Sequence, residues 1–319
     1  MIILTGGAGF IGSCMVKELN NRKIQDIIIV DDVKEMSNCK NLATLKYKDF
    51  VDKSQLTGLL NSSENIDLVI HMGACTSTTE TNGDYLMKNN FYFSKEIYDW
   101  CANNNCRLIY ASSAATYGDG SLGYDDSLTE QLKPLNIYGE TKRLFDQYVL
   151  SSKKKPPQWI GLRFFNVYGP NEYHKGSMAS VIFHSFNQIK KQGKVNLFKS
   201  YKPGVNDGEQ KRDFVYVKDV LSVIMFMIDN KAINGIFNIG TGEARTFNDL
   251  AKSVFNSLGL DPKIDYVDMP NGLAEKYQYS TQADIVKLRQ AGYKQDFYSL
   301  ELGVMDYVLN YLNKGFLNY

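Results

Sequence analysis

Cysteine is scarce in this sequence, and what there is lies in no metal-binding pattern. Five occur in 319 residues, at 14, 39, 75, 101 and 106. The number is odd and no pair has CxxC spacing, which excludes a disulfide framework and a zinc site and leaves buried or free thiols of a reducing cytosol. Long apolar runs are missing too: none approaches the ~20 residues that cross a bilayer. No signal-peptide pattern opens the chain, which goes straight into a strand-like run at Ile2. Charge of one sign is also lacking. The net charge is +1, and beyond the short KKK at 153–155 lysine is dispersed, so nucleic acid is not an expected partner. There is no internal repeat, no low-complexity linker and no heptad run.

What is present is apolar sequence in short, regular pieces. At 44% hydrophobic the chain can bury a sizeable core, as one large domain with a smaller one. Runs rich in β-branched residues recur: MIILT (1–5), DIIIVD (26–31), DLVIHMG (67–73), RLIYASS (107–113) and WIGLRFFNV (159–167). Amphipathic stretches such as 10–21 and 84–104 separate them. Strands that are apolar throughout are buried on both faces, as in a parallel sheet. The alternation predicts βαβ units and a doubly wound, Rossmann-like α/β fold. After about residue 168 the rhythm weakens. Loops fill 171–177 and 199–211, GIFNIGTG (235–242) reads as a late strand, and helical patterns follow at 246–257, 282–291 and 299–313. The expected organisation is a nucleotide-binding domain over 1–167, with a return strand and helix near 213–241, and an interleaved substrate-binding domain over 168–319.

TGGAGFIG begins at Thr5, after a strand and before a helix. Gly6 permits a tight turn, Gly9 lets the backbone approach a pyrophosphate, and Gly12 allows close helix–strand packing. The helix N-terminus offers free N–H groups and partial positive charge to phosphate. Asp31 and Asp32 end the second strand where a carboxylate hydrogen-bonds an adenosine ribose. Asp31 favours NAD, because an anion there repels a 2′-phosphate. Lys34, Lys40 and Lys53 could offset it; each is equally readable as a solvated surface charge.

The chemistry lies mid-chain. YGETK places Tyr138 and Lys142 on one face of a helix predicted over 135–150. A free tyrosine, with a pKa near ~10, is a poor base at neutral pH. An ammonium beside it favours the phenolate, so Lys142 is expected to lower that value and to hold a nicotinamide ribose. Upstream, YASSAATYG supplies Ser113, a hydroxyl able to orient a reacting oxygen. Alone, a Tyr–Lys pair is commonly a packed ring and a surface amine. After a glycine-rich loop and a serine-bearing strand end, it reads as a catalytic set.

Those three features resemble the extended short-chain dehydrogenase/reductase superfamily. HMGACTSTTE (71–80), LNIYGETK (135–142), FFNVYGPNEYHKGSMASVIFH (164–184), KRDFVYVKDV (211–220) and STQADIVKLRQAGY (280–293) narrow the likeness over nearly the whole chain. They resemble the ADP-L-glycero-D-manno-heptose 6-epimerases, isomerases that serve lipopolysaccharide precursor synthesis. The resemblance implies a nucleotide-linked heptose inverted at C6. That C–H is not acidic, so inversion requires transient oxidation to a ketone and hydride return to the other face. It also implies that Lys175, in HKGSM, acts as a second acid/base and lies near the cofactor; a buried lysine can do so if its pKa falls toward neutrality. By itself it reads equally as a phosphate-binding or solvated loop lysine.

Further positions carry over by the same resemblance. On the cofactor side they are Phe10, Ile11, Met72, Gly73, Ala74, Cys75, Thr76, Asn89 and Val167. Toward substrate they are Asn166, Ser177, His184, Phe198, Lys199, Ser200, Tyr201, Arg212 and Tyr277. Arg212 can fork two hydrogen bonds to a diphosphate; its plain reading is an ion pair with Asp213. His184 and Tyr277 read equally as packing. One departure bears on the cofactor: the family commonly has Asp-Asn with a lysine seven residues after the Asp, whereas this chain has Asp31-Asp32 and Asn38. The extent of the likeness still favours NADP over NAD. It also implies a homo-oligomer, a pentamer being one form. A 4-epimerase or 4,6-dehydratase of the same fold is the alternative, but a dehydratase needs carboxylates where Ala114, Ala115 and Thr116 stand. A non-catalytic dinucleotide-binding regulator would show a broken Ser–Tyr–Lys set, and here the set is intact.

Overall fold

The β-branched runs form the strands, and the amphipathic stretches the helices, of a computed structural model that describes residues 1–32, 40–63, 65–270 and 277–319. In chain order the elements are β1 (Ile2–Thr5), α1 (Phe10–Asn21), β2 (Ile27–Asp31), β3 (Asp49–Asp52), α2 (Leu56–Ser62), β4 (Leu68–His71), α3 (Gly83–Leu86), α4 (Phe93–Asn103), β5 (Arg107–Ser113), α5 (Ile137–Ser151) and β6 (Trp159–Phe164). There follow β7 (Asn166–Tyr168), α6 (Val181–Gln192), β8 (Val195–Phe198), β9 (Lys211–Tyr216), α7 (Val217–Asp229), β10 (Gly235–Ile239), β11 (Ala244–Thr246), α8 (Phe247–Ser257), β12 (Ile264–Val267), α9 (Val286–Gln290) and α10 (Leu300–Asn310).

Two units divide the chain: Met1–Gly118 with Asp126–Phe164 and Leu221–Phe237, and Asp119–Asp125 with Phe165–Val220 and Asn238–Tyr319. The seven-stranded sheet has the order β10-β6-β5-β4-β1-β2-β3. Its neighbours from β6 through β3 pair in parallel. β1 and β4 are buried along their whole length, as apolar-throughout strands require. Ile3, Ile28, Val30, Val69 and Leu108 from the strands pack with Ile97, Phe145 and Val149 from α4 and α5. This is the predicted Rossmann-like sheet.

Two expectations are corrected. WIGLRFFNV is not one strand. It breaks at Phe165, whose N–H donates to the Ile239 carbonyl. β6 stays in the large sheet and β7 joins a three-stranded sheet of order β11-β9-β7. In the division into two compact units, one segment ends at Phe164 and the next begins at Phe165. Likewise the helix expected over 282–291 is confined to α9, because the Asp213 carboxylate holds the Ala283 N–H outside any helix.

In the second unit, β7 pairs in parallel with β9, and β9 antiparallel with β11. β8 and β12 form a two-stranded parallel ribbon. A capping box, Thr246 with Asp249, starts α8. α10 packs against α8, and Tyr168 stacks on Tyr216 at 5.3 Å.

Candidate active site

The first unit builds its site at the ends of β1, β4 and β5. After β1 the chain turns at Gly6, with φ +68, and a Cβ there would sit 2.6 Å from the backbone of Gly73. Only glycine lets the two loops touch. Gly9 precedes α1 and has no side chain to cap it, so the first turn around Phe10, Ile11 and the buried Gly12 meets incoming chemistry with backbone N–H groups. Asp31 lies beside the loop and accepts from the Ala8 N–H at 2.8 Å. Asp32 pairs with Lys53 at 2.9 Å, and Lys53 also reaches Asn89 Oδ1 at 3.3 Å. The glycine cradle, the uncapped helix and the carboxylate fit a dinucleotide. Lys34, Asn38 and Cys39 lie outside the described residues; none of the other four cysteines is in a disulfide.

Met72, Gly73, Ala74 and Cys75 are half-buried after β4, and Thr76 is exposed. A buried chain of polar groups fixes this loop. The Gly73 N–H donates to Thr5 Oγ1, which meets His71 Nδ1 at 2.6 Å; His71 Nε2 meets Ser94 Oγ at 2.7 Å, and Ser94 donates to the Asn90 carbonyl. Burial lowers the His71 pKa to about 3, so its ring is neutral. Between α3 and α4, residues Met87–Tyr92 form a π-helical turn. That turn aims Asn90 at Cys75: Asn90 Oδ1 accepts from the Cys75 N–H at 2.9 Å, and Nδ2 donates to the Cys75 carbonyl at 3.0 Å. Sequence reading singled out Asn89, whose Nδ2 donates to Tyr85; it missed Asn90 and His71. The hint was a wholly apolar strand ending in histidine.

Ser113 ends β5 and caps the following 3-10 turn, accepting from the Ala115 N–H at 3.1 Å. Asn136 caps α5 by accepting from the Gly139 N–H at 2.8 Å. A Cβ on Gly139 would lie 2.7 Å from the Ala115 carbonyl oxygen, so its absence lets α5 press against that turn. Tyr138 is thereby hydrogen-bonded to Ser113. The expected influence of Lys142 on the phenol is corrected here. Burial pushes the Tyr138 pKa up, while the Ser113 hydrogen bond draws it down. Lys142 is buried as well: its Nζ donates to the Ala111 carbonyl at 2.9 Å, and burial brings its pKa down to about 8. Beneath the set, Asp146 accepts from Tyr110, Ser112 and the wholly buried Arg163, a network also missed in the sequence.

In the second unit Lys175 rides a 3-10 turn, Tyr173–Met178. It is half-buried; burial lowers its pKa, and the Glu172 carboxylate opposes that shift. Ser177 is exposed, His184 half-buried on α6 against Phe183, Asn166 exposed and Val167 half-buried on β7. Arg212 does not pair with Asp213. Its guanidinium lies 5.6 Å from the ring centre of Phe247 and 5.0 Å from that of Tyr277, while Asp213 accepts from Thr241, Gly242 and Ala283. Lys199 and the Tyr201 hydroxyl converge on Asp268, and the Ser200 N–H donates to Asp207. Phe198, at the end of β8, is exposed. No group of metal-ligating side chains occurs among the described residues, and no helix among them is long and apolar enough to cross a membrane.

The NAD dependent epimerase/dehydratase family matches residues 2–240. The ADP-L-glycero-D-manno-heptose-6-epimerase of Fusobacterium nucleatum is 50% identical, over 98% of both chains. That of Nitratidesulfovibrio vulgaris is 47% identical, again over 98% of both. The crystal structure of the Helicobacter pylori ADP-L-glycero-D-manno-heptose-6-epimerase superposes with a TM-score of 0.81 at 29% identity, covering 97% of this chain and 95% of that one. The chain belongs to the NAD dependent epimerase/dehydratase family and, within it, to the ADP-L-glycero-D-manno-heptose-6-epimerases.

Proposed function

We propose that the protein inverts C6 of the heptose in ADP-D-glycero-D-manno-heptose, giving ADP-L-glycero-D-manno-heptose with no net redox change. The observation that carries this reading is the hydrogen bond between half-buried Ser113 and buried Tyr138, with Lys142 one turn further along α5. A bound nicotinamide nucleotide supplies the hydride acceptor in the first half-reaction and the donor in the second. The chain's own residues handle oxygen and proton. Ser113 orients the C6 oxygen, and Tyr138 exchanges its proton as the C6–O bond gains and loses double-bond character. With its pKa raised by burial, the Tyr138 phenol is protonated at rest and returns its proton to the ketone oxygen. The proton that leaves the C6 hydroxyl in the first half-reaction goes to the Lys175 amine, and it passes back to Tyr138 through solvent before the next turnover. Lys142 holds the ribose that positions the reacting face.

Return of hydride to the opposite face requires the carbonyl to rotate, which moves its oxygen. Lys175 is the second acid/base in this reading, its amine made a better proton carrier near neutrality by burial. Arg212 and Tyr277 hold the diphosphate end. The Gly6–Gly12 loop, Asp31, Asp32, Lys53 and the Met72–Thr76 loop bind the cofactor, which we take to be NADP from the breadth of the family likeness. The enzyme is read as a cytoplasmic homo-oligomer.

NMR of the purified protein with ADP-D-glycero-D-manno-heptose should show conversion at C6 alone; change at C4, or loss of water, would point to the 4-epimerase or 4,6-dehydratase reading instead. Mass analysis of the nucleotide released on denaturation should give NADP(H). An aldehyde analogue of the heptose separates the two bases. Two aldehydes and one water give one alcohol and one carboxylic acid, so oxidation and reduction are both read in one tube. Tyr138→Phe and Lys175→Met should each retain part of this dismutation, and the double variant none. Epimerisation of the natural substrate at the parental rate by Lys175→Met would reduce Lys175 to a phosphate or surface contact.

A further inference from the structure

The turn carrying Lys175 is fastened at two levels. Its neck is closed by Glu172, a fully buried carboxylate. Oε1 accepts from the Gly169 N–H at 3.3 Å and from Ser180 Oγ at 2.7 Å, and Oε2 accepts from the Ser180 N–H at 2.6 Å. One side chain thus ties the end of β7 to the cap of α6. A loop held only at its neck keeps freedom at its tip, and here Gly176, with φ +55, interrupts the turn next to Lys175.

The start of the turn, on either side of Glu172, is met by residues 316–319. The Tyr173 hydroxyl donates to the Leu317 carbonyl at 2.7 Å, and the Tyr319 N–H donates to Oδ1 of the buried Asn171 at 2.9 Å. Just before them, Phe316 sits edge-on to Tyr173, Phe183 and Phe186 at 5.6–6.2 Å. Phe316 holds φ +61, a conformation that a residue with a Cβ adopts only when its surroundings compel it. Lys218 lies over the rings of Tyr311 and Tyr319, 5.3 and 5.5 Å from their centres.

We infer that residues 316–319 are a strap that preorganises the Lys175 turn, with Tyr173 and Phe316 as positioning residues for the lysine-dependent half-reaction. The inference rests on the reading of Lys175 as an acid/base. Its physical basis is that a reacting group displaced by about 1 Å can lose on the order of 100-fold in rate while binding persists. The strap acts through placement, so its loss should appear in kcat and not in KM.

The test compares Tyr173→Phe, which removes one hydroxyl, and Phe316→Ala, in the full chain, with Lys175→Met alongside. The expected result is kcat for C6 inversion lowered about tenfold in each strap variant, with KM and co-purified nucleotide unchanged. The dismutation retained by Lys175→Met should be retained by both as well. Adding Phe316→Ala to Lys175→Met should cost nothing further, because the strap acts only through that lysine. Parental kcat in Tyr173→Phe and Phe316→Ala beside an inactive Lys175→Met overturns the strap and leaves Lys175 standing. A further loss in the double variant overturns it too, as general destabilisation. Parental turnover by Lys175→Met removes the reading of Lys175 and the strap with it.

Discussion

The two units hold their working residues by different means. In the first, the turn after β5 and the start of α5 carry their own caps, two and three positions away: Ser113 accepts from the Ala115 N–H and Asn136 from the Gly139 N–H. In the second, Tyr173 at the start of the Lys175 turn and Asn171 just before it are tied to partners 144 and 148 positions away. Local fastening leaves a readable motif, and distant fastening leaves none. The first unit should therefore fail at single, identifiable contacts, while the second should lose rate in smaller, distributed steps.

Tyr138→Phe is the sharpest way to break that contrast. It removes one oxygen and little volume, and turnover should fall roughly 10²–10⁴-fold with bound nucleotide retained; NMR turnover assays read the loss, and near-parental rates would take Tyr138 out of the mechanism. Gly6→Ala comes next. Its Cβ would collide with the Gly73 backbone at a positive φ, so nucleotide affinity should weaken by at least about tenfold, measured by titration of the stripped protein. Unchanged affinity would mean the two loops yield easily.

Arg212→Lys sharpens the comparison from the other side. It keeps the charge and loses both the planar fork and the seat between Phe247 and Tyr277. KM for the sugar nucleotide should rise about tenfold with kcat nearly unchanged. A fall in kcat alone would place Arg212 in the chemistry. The last effect concerns His71 and is read in stability rather than in activity. Its folded value near 3 lies below the unfolded 6.5, so below about pH 6.5 the unfolded chain binds a proton that the folded chain does not. This contribution to stability is complete above that pH and declines by about 1.4 kcal/mol per unit as pH falls toward 3. Denaturant titrations of parent and His71→Gln across that window should diverge by that slope; parallel curves would show that the ring is protonated in the folded state.

How much of this was legible follows from the same contrast. α1 occupies 10–21, where its amphipathic pattern put it, and β5 occupies 107–113, because periodicity and capping act over neighbouring residues. β3 escaped notice because DFVD is an edge strand: partly exposed, with an aspartate at each end, it has no need of an apolar run. The tyrosine–lysine spacing was plain, but the force on the phenol was not. Burial depends on what covers the ring, and covering comes from tertiary packing. The same holds for Asp146 with Arg163 and for Glu172, whose buried charges are indistinguishable in sequence from surface ones.

The π turn at 87–92 changes how the length of this segment should be read. Such a turn amounts to one residue added to a helix. Deleting any one residue between Leu86 and Phe93 would restore an unbroken α-helix and swing everything on one side by about 100° relative to the other. Asn90 and Ser94 could not then both keep their partners at Cys75 and His71. In an alignment of related chains, a single gap here would mark a different way of holding the loop after β4, even where every named motif on either side is intact.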